Sequence, residues 1–134
     1  GFHPRDAVDY HYHTLLAGLM QKESGEGAFI VPKELKQAYE MRDFGAYAQV
    51  GDGDIPVDFL TTNDITNGNS GSPVINGRGE IVGLAFDGNY EAVASDYLYD
   101  SELNRTIVVD SRYILFVLDK VYHLDGLVKE LAVR

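Results

Sequence analysis

Apolar and polar residues alternate in several short stretches of this 134-residue chain, which is the pattern of half-buried β-strands. Alternation runs through residues 8–20, where aromatic residues share one face, and again through residues 55–60. Gly18 is expected to weaken or bulge the first strand. Pro56 predicts an edge position for the second, because proline cannot donate to a strand ladder. Residues 105–109 predict a further short, β-branched strand.

Apolar residues recur at helical spacing in two other regions. Residues 32–43 predict a helix with Pro32 in its first turn and Gly45 beyond its end. Residues 111–132 predict a terminal amphipathic helix, since apolar residues recur there every three or four positions. Short strands with one mid-chain helix and one closing helix favour an antiparallel β-barrel over a parallel α/β arrangement.

The strongest local pattern predicts a β-hairpin over residues 74–86. Two apolar runs flank the Asn-Gly pair at residues 76–77, which is typical of a tight two-residue turn. If the turn centres between Gly77 and Arg78, paired positions sum to 155, so that Ser70 faces Ala85 and residues 86–88 emerge beside the loop that precedes the hairpin. A bulge at the glycines of the turn would change this register by one residue.

The loop before the hairpin contains a candidate nucleophile, Ser70, in the run Gly-Asn-Ser-Gly-Ser-Pro. Glycines at positions 68 and 71 let the backbone curl while the hydroxyl stays accessible. Acyl transfer places negative charge on the former carbonyl oxygen, and two converging backbone N–H groups stabilise that charge. Gly68 and Ser70 are the candidate donors. Taken alone, the motif is also consistent with an ordinary turn before a strand.

Three segments of the chain resemble the C-terminal part of bacterial dipeptidyl-peptidases seven and eleven. They are the serine loop at residues 68–74, the segment 83–89 with Phe-Asp-Gly-Asn, and the segment 109–120 with Val-Asp-Ser-Arg-Tyr. The resemblance spans most of the chain. It implies serine exopeptidases on a chymotrypsin-type double barrel, and for this chain a mainly β fold: the second, antiparallel six-stranded β-barrel with one mid-chain helix and a C-terminal helix.

The resemblance also implies a role for each site residue. Ser70 attacks the carbonyl of the second residue from a peptide's amino end, with the N–H groups of Gly68 and Ser70 as the oxyanion hole. Asp87 matches the position whose carboxylate holds the free α-amino group of the substrate. Gly88 matches the position that relatives preferring acidic residues fill with arginine, and Phe86 forms a wall of that pocket. We therefore expect apolar or aromatic residues before the cut.

Two members of the catalytic triad are expected outside these residues. In a chymotrypsin-type enzyme the histidine and aspartate come from the first barrel, earlier in the chain. The chain is then interpreted as the C-terminal piece of a longer peptidase, inactive alone because an unassisted serine is a poor nucleophile. Asp64 is an alternative acid, although a loop-shaping role fits it better. Asn69 replaces the aspartate of activated trypsin-like enzymes, so activation by a new N-terminus is not expected.

Composition and length exclude several classes of protein. The net charge of −10 argues against a nucleic-acid partner, and the absence of cysteine excludes thiol nucleophiles and disulfides. No apolar stretch reaches the length of a membrane span, and residues 1–6 lack a secretory pattern. The resemblance places the export signal upstream and the protein in the periplasm or on the surface of a bacterium. We predict a single domain over residues 1–134.

Within that domain, we expect the lead-in strand and helix over about residues 1–50. The barrel with the nucleophile loop is expected over residues 51–110, and the closing helix over residues 111–132.

Metal and cofactor motifs are incomplete. His11 and His13 fall short of the three or four ligands of a zinc site. Residues 51–54, Gly-Asp-Gly-Asp, lack the glutamate of an EF-hand loop, and the serine loop lacks the lysine of a P-loop. We expect no metal and no cofactor.

Two other functions share these features. A trypsin-like or HtrA-like serine endopeptidase has the same serine loop but cuts inside chains. A non-catalytic barrel would bind a protein through the tyrosine-rich loop after Gly88. The expected partners of the dipeptidyl-peptidase are peptides with a free N-terminus and upstream domains of the same chain, and a homodimer stays open.

Overall fold

The computed structural model describes residues 12–48, 53–94 and 97–131. They form two compact units. The sheet unit is built around Val57–Ser111, and the helical unit contains Leu15–Pro56 and the chain from Arg112 onwards. His11 and the first half of the Gly-Asp-Gly-Asp segment lie outside the described residues. No helix in these three ranges is long and apolar enough to cross a membrane.

Five strands form one sheet in the order β1-β2-β5-β4-β3. Pairing is antiparallel between β2 and β5, between β5 and β4, and between β4 and β3. The strands are β1 (His13–Leu15), β2 (Pro56–Thr61), β3 (Pro73–Ile75), β4 (Ile81–Gly88) and β5 (Thr106–Asp110). The predicted mainly β architecture with added helices is confirmed. The described residues contribute five strands to an open sheet, so the sixth strand and the closed barrel stay predictions.

One face of the sheet carries the core of the sheet unit. Val74, Ala85 and Val108 are buried there, with two partly buried side chains packed against them, Phe59 and Val82. This burial follows from the period of two in the strands, which sends alternate side chains to the same face. Gly83 lies opposite Asp110, and an added Cβ would collide with the Val109 carbonyl oxygen. Glycine lets β4 and β5 approach closely at this point.

The helical unit consists of short helices around a separate core. Its α-helices are α1 (Leu16–Gln21), α2 (Lys33–Met41), α3 (Ser111–Phe116) and α4 (Asp125–Glu130), with a π-helical turn at Val117–Val121. Single 3₁₀ turns occur at Gly27–Phe29 and Gly45–Tyr47. The helix predicted over residues 32–43 is therefore confirmed as α2. Phe116, Leu16 and Ile55 are fully buried, and the Phe44 ring meets Phe116 edge-on at 6.0 Å.

The strand predicted over residues 8–20 is wrong beyond Leu15, where α1 begins. The alternation of apolar and polar residues ends at Thr14, and residues 15–20 are mostly good helix formers. A distant residue fixes the turn: the buried Asp54 carboxylate accepts the N–H of Ala17 at 3.0 Å and of Ile55 at 2.8 Å. Both carboxylate oxygens of Asp54 are therefore engaged with the backbone, as in a turn rather than a calcium loop.

The edge position predicted from Pro56 is wrong, because β2 lies between β1 and β5. Pairing of β2 with β5 begins at Asp58, opposite Val109. Pro56 is the first residue of the strand and precedes that pairing, so its missing N–H costs no bond to β5.

The single terminal helix predicted over residues 111–132 is also wrong, because residues 122–124 interrupt it. His123 adopts a left-handed conformation with φ 55°, which ends a helix. The Tyr122 N–H donates to the Val117 carbonyl at 2.9 Å and closes the π-helical turn, and the Leu124 N–H donates to the Leu118 carbonyl at 2.8 Å. The apolar spacing continues across this break, so the pattern alone does not reveal it.

Candidate active site

The serine loop is shaped by Asn69 and by two glycines. Asn69 Oδ1 accepts the Thr66 N–H at 2.9 Å, and the Asn69 N–H donates to the Thr66 carbonyl at 3.2 Å. Gly68 and Gly71 have φ of 95° and 86°, conformations that side-chain-bearing residues rarely adopt. The loop therefore depends on glycine at both positions that flank the candidate nucleophile.

The N–H groups of the loop divide into two sets. Those of Asn69, Gly71 and Ser72 each donate to a backbone carbonyl, at 3.2, 2.7 and 2.9 Å. The other two N–H groups within residues 68–72 belong to Gly68 and Ser70, the two predicted oxyanion donors. These three hydrogen bonds, two within the loop and one to β4, do not use the N–H groups of the predicted pair.

The predicted hairpin is present, but its register differs by two residues at Pro73 and by one at Ile75. Pro73 lies opposite Leu84, and Ile75 lies opposite Ile81 beyond a bulge. The turn has three residues instead of two, closed by the Asn76 N–H to the Glu80 carbonyl at 2.9 Å. Gly79, at φ 78°, makes this longer turn accessible.

Because of this register, Ser72 and not Ser70 lies opposite Ala85. The Ala85 N–H donates to the Ser72 carbonyl at 2.8 Å, and the Ala85 carbonyl accepts the Gly71 N–H at 2.7 Å. The predicted pairing of Ser70 with Ala85 is therefore wrong, for the two reasons just given: the longer turn and the bulge. The serine loop still lies against β4.

Ser70 itself lies beside Phe86. Its side chain is exposed, and Oγ donates to the Phe86 carbonyl oxygen at 3.3 Å. Phe86 is the bulged residue in the pairing of β4 with β5, because Ala85 lies opposite Val108 whereas Asp87 lies opposite Ile107. A bulged residue has no partner on the neighbouring strand, so its carbonyl is available to the serine.

Asp87 and Gly88 follow directly on the same strand. The exposed Asp87 carboxylate accepts the Gly88 N–H through Oδ1 at 2.8 Å. Gly88 lies opposite Thr106, and a Cβ added to it would lie 3.0 Å from Ala92 Cβ and 3.9 Å from the Arg105 carbonyl oxygen. The Ala92 methyl group and the Arg105 carbonyl oxygen thus border the space at Gly88.

A cavity of about 430 Å³ opens beside the serine loop. Its lining is polar at Asn63, Asp64, Asn69, Ser72 and Thr106, and apolar at Ile65, Pro73, Val74 and Ala85. Ser70, Phe86 and Gly88 do not line it, so it is distinct from the pocket predicted at residues 86–88. Asp64 is exposed at this cavity.

The loop after β4 carries a network that sequence reasoning missed. It begins with the 3₁₀ helix Tyr90–Ala94 and returns to β5 at Arg105, whose guanidinium donates to three backbone carbonyls. Asn89, at 7% exposure, spans the base of the loop. The sequence offered one clue, the asparagine that ends the Phe-Asp-Gly-Asn segment, but it was used only as a family signature.

Shifted pKa values occur away from these residues. Burial, followed by the hydrogen bond to Asp119 at 3.0 Å, raises the pKa of Tyr47, and burial raises that of Tyr113. The hydrogen bond from Arg78 lowers the pKa of Glu80 in the hairpin turn. In the described part of the chain, no group of three or more His, Asp or Glu side chains is placed to hold a metal ion.

An exposed serine between two glycines of positive φ, in a loop that leads into a strand, is the arrangement that the sequence predicted for the nucleophile loop. The chain belongs to the peptidase S46 family, whose sequence profile matches residues 1–133. This confirms the resemblance found in the sequence.

Individual relatives agree with the family. Dipeptidyl-peptidase 7 of Phocaeicola vulgatus is 51% identical over 133 residues, 98% of this chain and 18% of that protein. The Asp/Glu-specific dipeptidyl-peptidase of Porphyromonas gingivalis is 46% identical over 134 residues, 99% of this chain and 18% of that protein. The crystal structure of Porphyromonas endodontalis DPP11 with the dipeptide Arg-Glu superposes with a TM-score of 0.90 at 41% identity, covering 100% of this chain and 19% of the other. The chain thus spans about a fifth of the length of these relatives.

Proposed function

We propose that the chain is the serine-bearing C-terminal part of a dipeptidyl-peptidase that removes dipeptides from the amino end of peptides. The observation that carries the proposal is the 3.3 Å contact between Ser70 Oγ and the Phe86 carbonyl oxygen. It joins a candidate nucleophile to the strand that carries Asp87 and Gly88. The names of the relatives, dipeptidyl-peptidase 7 and Asp/Glu-specific dipeptidyl-peptidase, support the same reaction.

In this proposal Ser70 attacks the carbonyl carbon of the second residue. A histidine from the upstream part of the protein takes the hydroxyl proton and later gives it to the leaving amine, and an upstream aspartate orients that histidine. The oxyanion that forms is bound by the N–H groups of Gly68 and Ser70. The hydrogen bonds donated by Asn69, Gly71 and Ser72 do not use these two N–H groups. The chain by itself is inactive because it lacks the two upstream partners.

Asp87 gives the reaction its preference for chain ends. A peptide with a free amino terminus presents an ammonium group, and a carboxylate at the end of a short cleft pairs with it. The Asp87 carboxylate is exposed and is oriented by the Gly88 N–H at 2.8 Å. An internal peptide bond offers no such cation, so dipeptide release is favoured over internal cleavage.

Gly88 and Phe86 border the pocket for the penultimate side chain, which we propose to be apolar or aromatic. Arg105, whose carbonyl oxygen lies 3.9 Å from a Cβ added to Gly88, has a guanidinium that already donates to the carbonyls of Ser101, Glu102 and Asn104 at 2.7–3.1 Å. A guanidinium so engaged offers little to a carboxylate on a substrate. Cleavage after Asp or Glu should therefore be poor.

The finer features of fold and setting belong to the same proposal. The five-stranded sheet is part of a six-stranded barrel, the second of two in a chymotrypsin-type enzyme, and the first barrel supplies the histidine and aspartate. The full-length protein acts in the periplasm or on the surface of a bacterium on peptides with free N-termini.

The test uses the full-length protein of which this chain is proposed to be a part. A fluorophosphonate probe should label the parent and the Ser72→Ala variant, a matched control two residues away, but not Ser70→Ala. Dipeptide release should require a free amino terminus and cease when the substrate is acetylated. Cleavage of blocked peptides would indicate an endopeptidase instead, and no labelling at Ser70 would indicate a non-catalytic domain.

A further inference from the structure

Asn89 directly follows Asp87 and Gly88, the proposed substrate-binding residues, and the backbone turns away from the sheet at this position. Its N–H continues the ladder and donates to the Arg105 carbonyl at 2.9 Å, one residue beyond the pair Gly88–Thr106. Its own carbonyl instead accepts the Ala92 N–H at 3.0 Å, which begins the 3₁₀ helix Tyr90–Ala94. At Asn89 the backbone therefore leaves the sheet.

In a regular ladder the Asn89 carbonyl would accept the Arg105 N–H. Here the Asn89 side chain accepts that N–H instead. Oδ1 accepts the Arg105 N–H at 2.9 Å, and Nδ2 donates to the Leu103 carbonyl at 2.8 Å and to Glu91 Oε2 at 2.8 Å. The carboxamide is buried, and its three bonds tie both ends of the loop together. A buried amide with these partners is costly to replace, because each lost bond leaves a desolvated partner.

Both groups that border Gly88 are hydrogen-bonded to Asn89. Ala92, whose Cβ would lie 3.0 Å from a Gly88 Cβ, is bonded to the Asn89 carbonyl. The Arg105 carbonyl, 3.9 Å from the same point, accepts the Asn89 N–H. Hydrogen bonds to the Asn89 backbone therefore hold both groups that border the space at Gly88. The Asn89 side chain is bonded within the base of the loop.

We infer that Asn89 is a positioning residue that fixes the size of the penultimate side chain accepted at Gly88. This inference rests on the proposed function. Loss of the hydrogen bonds of the Asn89 carboxamide should let the 3₁₀ helix Tyr90–Ala94 move away from Gly88. This movement enlarges the pocket for the penultimate side chain. The consequence is a change in selectivity between large and small side chains, beyond any general loss of activity.

The test compares kcat/KM in the full-length protein for peptide substrates that have a free amino terminus and Ala, Leu or Phe as the penultimate residue, the second from that terminus. Asn89→Asp keeps Oδ1 as an acceptor but turns the two Nδ2 bonds into repulsion against Leu103 O and Glu91. We expect the Phe-to-Ala ratio of kcat/KM to rise by about tenfold, the scale on which apolar pockets discriminate. Asn76→Asp is the matched control and should leave the ratio unchanged. Asn76 also bonds two backbone N–H groups and a glutamate, but in the hairpin turn.

A purely structural role would lower kcat/KM for all three substrates by one factor, and that result would overturn the inference. If Asn89→Asp does not fold, Ala92→Gly tests the same boundary directly, since it removes the methyl group that faces Gly88. Its Phe-to-Ala ratio should also rise, and an unchanged ratio would equally refute the role of the loop. Inactivity of the parent on every peptide substrate with a free amino terminus would instead overturn the proposed function.

Discussion

The Ser70 hydroxyl donates a hydrogen bond of 3.3 Å to the Phe86 carbonyl oxygen, at the point where β4 bulges against β5. The contact joins two stretches 16 residues apart in sequence. One is a glycine-flanked loop, and the other is the strand that continues through Asp87 to Gly88. In the proposed reaction this juxtaposition places the attacking oxygen beside the groups that bind the substrate. Three predictions concern this site, and a fourth concerns the helical unit.

Gly68→Ala should impair catalysis more than folding. Gly68 has φ 95°, so any side chain adds strain of about 1–2 kcal/mol or moves the loop, although a Cβ there meets no atom within 4 Å. Moving the loop displaces a proposed oxyanion donor, so kcat should fall by about 10²-fold while KM changes little. Steady-state kinetics on the full-length protein measure this. Gly77→Ala, with no close neighbour and no positive φ, is the control and should behave as the parent does.

Gly88→Arg should redirect the enzyme toward acidic penultimate residues. Gly88→Ala is its matched control, because both variants place the same Cβ 3.0 Å from Ala92 and only one adds a cation. We expect kcat/KM for a penultimate Glu to be at least about tenfold higher in the arginine variant than in the alanine variant. Equal kcat/KM for a penultimate Glu in the two variants would mean that Gly88 does not line the pocket.

Asp87→Asn should weaken the recognition of free amino termini. The amide keeps an oxygen that can accept the Gly88 N–H but loses the charge that pairs with the substrate ammonium. The expected result is a rise in KM and a fall in kcat/KM of about 10–100-fold, with smaller losses at high salt. Asp100→Asn controls for general loss of negative charge, since Asp100 Oδ1 only accepts the Glu102 N–H in the same unit. Identical losses in both variants would mean that Asp87 has no specific role.

The bond from Tyr47 to Asp119 should make the stability of the helical unit sensitive to alkali. Burial and this hydrogen bond raise the pKa of Tyr47 in the folded state above its unfolded value near 10. The stabilisation is therefore fully present below pH 10 and is lost as the pH rises through the folded pKa. Tyr47→Phe should cost about 1 kcal/mol at neutral pH and show a shallower decline above about pH 10. Thermal unfolding as a function of pH measures both effects.

An alkaline decline as steep in Tyr47→Phe as in the parent would assign the effect to another group. Tyr113, whose pKa is also raised by burial, is the first candidate. The double variant with Tyr113→Phe then separates the two phenols.

Local patterns predicted much of this protein. The period of two identified the strand at residues 55–60, and the Asn-Gly pair identified the hairpin that follows the serine loop. Helical spacing with Pro32 at the start identified α2. The glycines around Ser70 were enough to select a candidate nucleophile, because only glycine adopts these backbone angles readily.

The sequence by itself determined which residues face a core and which loops bend, since both depend on neighbours within a few positions. Tertiary structure decided what depends on distant partners. Asp54 holds the start of α1, β1 covers the second edge of β2, and a three-residue turn with a bulge sets Ser72 instead of Ser70 opposite Ala85. Asn89 was recognisable as an element of a motif, but its bonds to Leu103 and Arg105 exist only because the loop returns to β5. Hydrogen bonds between residues far apart in sequence produce no periodic pattern of residue types, so the sequence alone does not predict them.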